Sequence, residues 1–241
     1  MRLEVDISGK AFESAAGKRH NVLAGIHFSL AAGEVGVVMG PSGCGKSTLL
    51  RILAGIDPNF EGTILRPQDV RIGMVFQEPR LLPWRSVEEN VRLVAPEIDD
   101  ASLTALFAAL ELSAHRSHFP GELSLGLARR VAIARALAVD PNFLVLDEPL
   151  ASLDDALSAR LRDEIAGFMA KPSRMSILVT HDLDDAARLG DRLLVLSERP
   201  ARLRHVVPIA TPRSEREDSE IAAIKAEIAR LTNGDRASQD S

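Results

Sequence analysis

The chain has 241 residues, 46% hydrophobic and 26% charged, with a formal net charge of −5 and a single cysteine. That length can bury a full core. The acidic balance argues against a nucleic-acid partner, and one cysteine excludes an internal disulfide framework and fits a reducing compartment. No apolar run is long enough to span a bilayer, and MRLEVDISGKAF carries charges where a secretion signal has an apolar core. No targeting segment is therefore expected, and any membrane crossing falls to another chain.

In chain order, 2–7 and 26–30 alternate apolar and polar residues as half-buried strands do, with ESAAGKRHN between them as a hairpin tip. EVGVVM at 34–39 is a continuous apolar strand. STLLRILAG reads as a helix that Gly55 can end, and a second β region covers 62–76. From about 86 to 138 the period turns helical. Ser86 and Glu89 stand in capping-box spacing before one helix, DDASLTALFAALEL forms another, and LSLGLARRVAIARALAV forms a third that stops before Asp140-Pro141. Then strands at 143–147, 175–180 and 192–197 alternate with helices at 155–170 and over DLDDAARLG. That alternation predicts a mostly parallel sheet flanked by helices. The last segment, about 214–241, is charged and reads as one polar helix followed by a flexible RASQDS tail.

GPSGCGKS at 40–47 is a complete P-loop between an apolar strand and a helix. Gly40, Gly43 and Gly45 let the backbone turn tightly and aim successive N–H groups at phosphate oxygens, with Pro41, Ser42 and Cys44 in the same cradle. The helix that starts there adds its positive end. Lys46 is placed to reach the β- and γ-phosphates of ATP, the Ser47 hydroxyl to ligate Mg²⁺, and Thr48 to sit near the α/β end. A thiol reagent at Cys44 is expected to block the nucleotide. FLVLDEP at 143–149 supplies a buried strand ending in Asp147, which can hold the magnesium through a water. Glu148 follows, where it can polarise an attacking water.

These two motifs, and what lies between them, resemble the ATPases of the ABC transporter family over nearly the whole chain to about residue 205. VFQEP places Gln77 at the family's Q-loop, which touches magnesium and water. ELSLGLARR at 122–130 is similar to the signature motif. ASLD at 151–154 matches the D-loop, with Asp154 at the dimer seam, and VTHD places His181 at the switch histidine. Lys10-Ala11-Phe12 looks like the A-loop, whose aromatic ring stacks on adenine. The resemblance implies an α/β P-loop nucleoside-triphosphatase with a RecA-like parallel-sheet core, an N-terminal antiparallel β subdomain and an inserted helical subdomain at about 82–140. The ATPase domain is expected to span 1–208, and the charged helix and tail 209–241. It implies catalytic roles for Glu148, His181, Gln77 and Lys46, and magnesium ligation by Ser47, Gln77 and Asp147.

The signature departs from the family's Leu-Ser-Gly-Gly-Gln. Here Leu125 replaces the first glycine and Leu127 the glutamine, while the Ser124 hydroxyl and the Gly126 N–H survive. In the family these face the partner's ATP, which implies hydrolysis only as half of a head-to-tail dimer, here a homodimer, at a rate tuned by the altered motif. LLPW followed by EENV is similar to the ATPases of importers for nitrate, sulfonate and taurine. That places a permease contact at 78–90, with Leu81, Leu82 and Trp84 facing it, at the cytoplasmic face of the cell membrane. The transported substrate never touches such a chain. After the last core strand only the charged helix and tail are expected, with no room for a regulatory β-domain. An ATPase for lipid or lipoprotein export would share the core motifs; the docking stretch favours import. A chromosome or DNA-repair ATPase would need long heptads between P-loop and signature, and a P-loop kinase would lack LSLG and the histidine.

Overall fold

The computed structural model describes residues 2–15, 17–151 and 153–233. Ser152 of the ASLD motif and the expected tail at 236–241 lie outside the described residues.

Two sheets organise the chain. Strands β1 (Arg2–Glu13), β2 (Arg19–Ala31) and β4 (Glu61–Leu65) form an antiparallel sheet in the order β2-β1-β4. The second sheet runs β5-β6-β7-β3-β8-β9, built from β3 (Val35–Met39), β5 (Ile72–Val75), β6 (Phe143–Asp147), β7 (Met175–Val179), β8 (Arg192–Leu196) and β9 (Leu203–Pro208). Its first five strands are parallel, as the α/β alternation requires, and β9 adds antiparallel to β8.

Strands β3, β6 and β7 are buried along their whole length. Successive residues of a strand point to opposite faces, so neighbours feed different cores. Val37, Leu144, Leu146 and Leu178 pack with the helices on one side. Val38, Val145, Ile177 and Val179 pack on the other with Leu3, Val5 and Ile7 of β1 and with α1 (Lys46–Leu53). Each such side chain contributes about 1.5–3 kcal/mol of burial. The parallel sheet is thereby sandwiched, and its strand ends carry the loops that bear the motifs.

The helices after β5 are α2 (Val87–Arg92), α3 (Asp100–Ala109) and α4 (Leu125–Ala138). The Ser86–Glu89 capping box forms as its spacing predicts: Ser86 Oγ accepts from Glu89 N at 3.2 Å and Glu89 Oε2 from Ser86 N at 2.7 Å. Further on come α5 (Asp155–Met169), α6 (Leu183–Leu189) and α7 (Asp218–Asn233). Among the described residues no helix is long and apolar enough to cross a membrane.

Three expectations need correction. The β1–β2 hairpin is longer than read: pairing continues to Glu13 opposite Arg19, past a register shift at Lys10/Ala11 that breaks the alternation. A further strand, β9, follows the strand taken as last. It alternates half-buried and exposed residues at the sheet edge and therefore carries Arg204 and His205 where an inner strand carries Val or Ile. And α7 begins at 218, after a short 3-10 turn at 213–215, and is amphipathic rather than polar: Ile221 and Ile228 are buried against the helical core, with Ile224 and Leu231 beside them.

Candidate active site

The P-loop leaves β3 at Met39 and enters α1 at Lys46. Gly45 has φ +127, and a Cβ there would lie 2.8 Å from Val22 Cγ1 and 2.9 Å from Leu23 Cδ2, so the loop closes against β2 only without a side chain. The Lys46 ammonium donates to the carbonyls of Gly40 and Pro41, both at 2.9 Å, which folds the loop over its own cation. Pro41, Ser42, Gly43 and Ser47 are exposed and Thr48 half-buried. Helices α2 to α6 each carry a side-chain N-cap, from Ser86, Asp99, Ser124, Asp154 and Asp182. Helix α1 has none and no acid in its first turn. Its orphan N–H groups and positive end fit a phosphate.

Cys44 differs from its expected accessibility. It is buried, and burial pushes its thiol up despite the opposing charge of Lys46. A protonated, enclosed thiol packs rather than reacts.

Asp147 ends β6, nearly fully buried. Burial is the largest influence and raises its carboxyl, the charge of Glu148 adds to this, and the Ser47 hydroxyl bond and the Lys46 charge work against it. A buried carboxylate beside a serine hydroxyl, one residue before the carboxylate that Gln77 faces, supplies hard oxygen donors. Among the described residues no cluster of three or more His, Cys, Asp or Glu could hold a metal alone. Oxygen donors of this kind suit magnesium, which takes one or two carboxylates and completes its shell with phosphate and water.

Glu148 follows immediately, with φ +48. This left-handed backbone is unusual for a residue with a Cβ and is anchored by the bond from its N–H to Val179 O at 2.9 Å. Its carboxylate lies between two sequence-predicted partners: Gln77 Nε2 is 3.5 Å from Oε2, and His181 Nδ1 is 3.6 Å from Oε1. The structure thus brings Gln77, Glu148 and His181 together at the C-terminal ends of β5, β6 and β7. A polar cavity of about 340 Å³ opens beside Glu148 and His181.

Phe12 is half-exposed and pairs with His20, two residues before the Val22 that touches Gly45. The Lys10 ammonium lies 4.6 Å from its ring centroid, itself buried and held by Asp57 Oδ1 at 2.7 Å. Ser124 and Gly126 are not gathered with these residues. Ser124 caps α4, and a Cβ on Gly126 would face Leu153 and Leu157, not residues 40–48. Asp154 caps α5, accepting from Leu157 N at 2.9 Å.

Two side chains that sequence reasoning missed hold the segment after Gln77. Arg135 of α4 donates to Pro79 O at 2.8 Å and Arg80 O at 2.9 Å. Asn90 of α2, fully buried, accepts from Leu82 N at 2.8 Å and faces the carbonyls of Leu82, Arg85 and Ser86 with its amide nitrogen. Between them Trp84 stands 71% exposed.

A parallel sheet with an uncapped glycine loop at one strand end and a buried Asp-Glu pair at another defines a nucleoside-triphosphate-binding α/β protein. Residues 23–151 match the model of the ABC transporter family. The chain is 41% identical over 228 residues to the aliphatic sulfonates import ATP-binding protein SsuB 2 of Pseudomonas syringae pv. tomato, covering 93% of this chain and 95% of that one. It is 38% identical over 226 residues to the SsuB protein of Bacillus subtilis, covering 89% and 88%. Among solved structures it resembles a dimeric bacterial ABC transporter cassette with a TM-score of 0.77 at 26% identity, over 88% of this chain and 100% of that one. A dimeric cassette in a post-hydrolysis state bound to ADP and Pi matches over the same shares, with a TM-score of 0.76 at 26% identity. The chain belongs to the ABC transporter family and is one of its ATP-hydrolysing cassettes.

Proposed function

We propose that this chain powers import of a small organic anion of the sulfonate type through a separate permease, as half of a head-to-tail homodimer at the cytoplasmic face of the membrane. The observation that carries the catalytic part is Glu148, lying between Gln77 and His181 beside the buried Asp147. The names of the similar importer ATPases support the sulfonate class, and the dimeric cassettes support the pairing.

In this reading Phe12 stacks on adenine, and residues 40–48 wrap the phosphates with backbone N–H groups. Lys46 exchanges the carbonyls of Gly40 and Pro41 for β- and γ-phosphate oxygens. Ser47, Asp147 and Gln77 would hold Mg²⁺, which would supply positive charge to offset that of the phosphates. Glu148 accepts a hydrogen bond from the attacking water and draws on its proton. His181 steadies the γ-phosphate from the opposite strand end. Ser124 and Gly126 face the partner's nucleotide, so each site needs both chains. Trp84, Leu81 and Leu82 dock the permease, and the 79–86 segment relays that contact to Gln77.

The test is ATP hydrolysis by the chain reconstituted with its permease and a sulfonate-loaded binding protein. Glu148→Gln is expected to lower the rate by about 10²–10⁴, the range of a general base. Loaded binding protein is expected to stimulate the wild type. An unchanged rate in the variant would falsify the role of Glu148. Absence of stimulation by any alkanesulfonate would remove the substrate class.

A further inference from the structure

Arg129 lies in the second turn of α4 and carries an unmet demand. Its Nε and Nη1 are shielded from solvent and find no hydrogen-bond partner among the described residues. Helix geometry shows where the side chain points. At about 100° per residue, Arg129 lies roughly 120° around α4 from Arg135 and roughly 60° from Gly126. Arg135 faces Pro79 and Arg80, and Gly126 faces Leu153 and Leu157. Arg129 therefore projects between the segment after β5 and the start of α5. Its sector also holds Ala132, Ile133 and Ala136, all buried, so this is the inward face of α4. Strand β6 lies next to β5 and ends at Asp147, and the chain runs on from there through Glu148 to Leu153, the residue beside Gly126.

Glu148 has the complementary deficit. A carboxylate offers about four acceptor positions, and its contacts to Gln77 and His181 are 3.5 and 3.6 Å, longer than well-formed bonds. A guanidinium with unused donors and a carboxylate with unused acceptors thus belong to the same region of one chain. Electrostatics agrees: burial is the main influence on Arg129 and weakens its charged form, and the charge of Glu148 acts in the opposite direction.

We infer that Arg129 is a positioning residue for Glu148, which it grips from the same chain as the nucleotide site assembles, fixing the carboxylate for its contact with water. This rests on the reading of Glu148 as the group that activates water. Arg129 touches neither nucleotide nor water. It acts by narrowing the orientations of Glu148, which the loose contacts to Gln77 and His181 leave free. A misplacement of about 1 Å in such a group can cost 10²-fold in rate.

The experiment measures kcat and KM for Mg·ATP in the reconstituted complex carrying Arg129→Gln, Arg129→Lys, Glu148→Gln and the double variant Arg129→Gln/Glu148→Gln. Arg129→Gln is expected to lower kcat by about tenfold or more with KM within about twofold, the signature of lost orientation rather than lost binding. Arg129→Lys, which keeps the stem and the charge, is expected to recover part of the rate. In the Glu148→Gln background, Arg129→Gln should change the residual rate by less than about twofold, because the two residues act as a unit. A wild-type kcat in Arg129→Gln overturns the assignment, as does an equal loss with and without Glu148. If Arg129→Gln melts early, the ratio of Arg129→Lys to wild type, at matched nucleotide binding, decides the same question. An unchanged rate in Glu148→Gln alone overturns the reading of the site itself. A fall there with none in Arg129→Gln overturns only the positioning role.

Discussion

Asn90→Ala isolates one link between packing and function. Asn90 is fully buried on α2, and its side chain serves only the backbone of 82–86. Its oxygen accepts from Leu82 N at 2.8 Å; its amide nitrogen has two hydrogens to share among three carbonyls at 3.0–3.2 Å. At most three good bonds exist at once, and each is worth about 1 kcal/mol net. Alanine restores roughly 0.5 kcal/mol through helix propensity, and water reaches part of the freed backbone. The expected loss is about 2 kcal/mol, a drop of roughly 4–8 °C in Tm for a chain of this size. Trp84, the single tryptophan, sits inside the affected turn and reports on it directly. Urea unfolding followed by Trp84 fluorescence and by circular dichroism is the assay. The Trp84 signal is expected to loosen first, while the helical signal follows at a lowered midpoint. Hydrolysis by the cassette alone should persist, and stimulation through the permease should fall. A loss below about 0.5 kcal/mol with an unchanged Trp84 signal would refute the idea that Asn90 holds this segment.

Two further outcomes follow from the same geometry. Gly45→Ala forces a side chain onto φ +127 and into Val22 and Leu23, at a cost of about 1–3 kcal/mol in backbone strain and a similar amount in overpacking; Gly43→Ala, at φ +73 with open space around it, bears the strain alone. Binding of a fluorescent ATP analogue should therefore fail in the first and survive weakened in the second, and equal affinities would show that contact with β2 is irrelevant. Glu88 accepts from Arg116 and Arg92, both at 2.8 Å, and these bonds, Arg116 first, hold its carboxyl below the ordinary value of 4.5. A lowered folded-state pKa gives stability that is present above the unfolded value and lost as pH falls through the folded one. Urea midpoints of wild type and Glu88→Gln should differ at neutral pH and converge below about pH 4.5; parallel curves would contradict this.

What could be read from the sequence was what is contiguous or periodic. The loop at 40–48 and the helix it opens are legible because they are built from neighbouring residues, and the Ser86–Glu89 box because its two bonds span three residues. The register shift at Lys10/Ala11 hid half of the first hairpin. Strand β9 escaped because an edge strand needs only one apolar face. The stripe Ile221, Ile224, Ile228 and Leu231 has helical spacing, but the acids and bases around it masked the face that packs on α6.

Asn90, Arg129 and Arg135 were invisible for a different reason: their partners lie across the fold. The carbonyls that Arg135 grips are more than fifty residues away in sequence. Once placed, they explain how a loop can carry a signal. Arg135 pins 79–80 from α4 and Asn90 pins 82–86 from α2, so the segment is clamped at both ends by helices and leaves Trp84 standing out between them. In the proposed permease contact, a push on Trp84 would act on a segment tied to two helices. The rigid attachment at Pro79 lies two residues from Gln77, whose amide faces Glu148. The same helix α4 carries Arg129, so displacement of the clamp would shift Gln77 and the residue proposed to position the carboxylate together. A loop without these bonds would absorb such a push; the bonded segment gives the proposed docking a path toward Gln77 and Glu148.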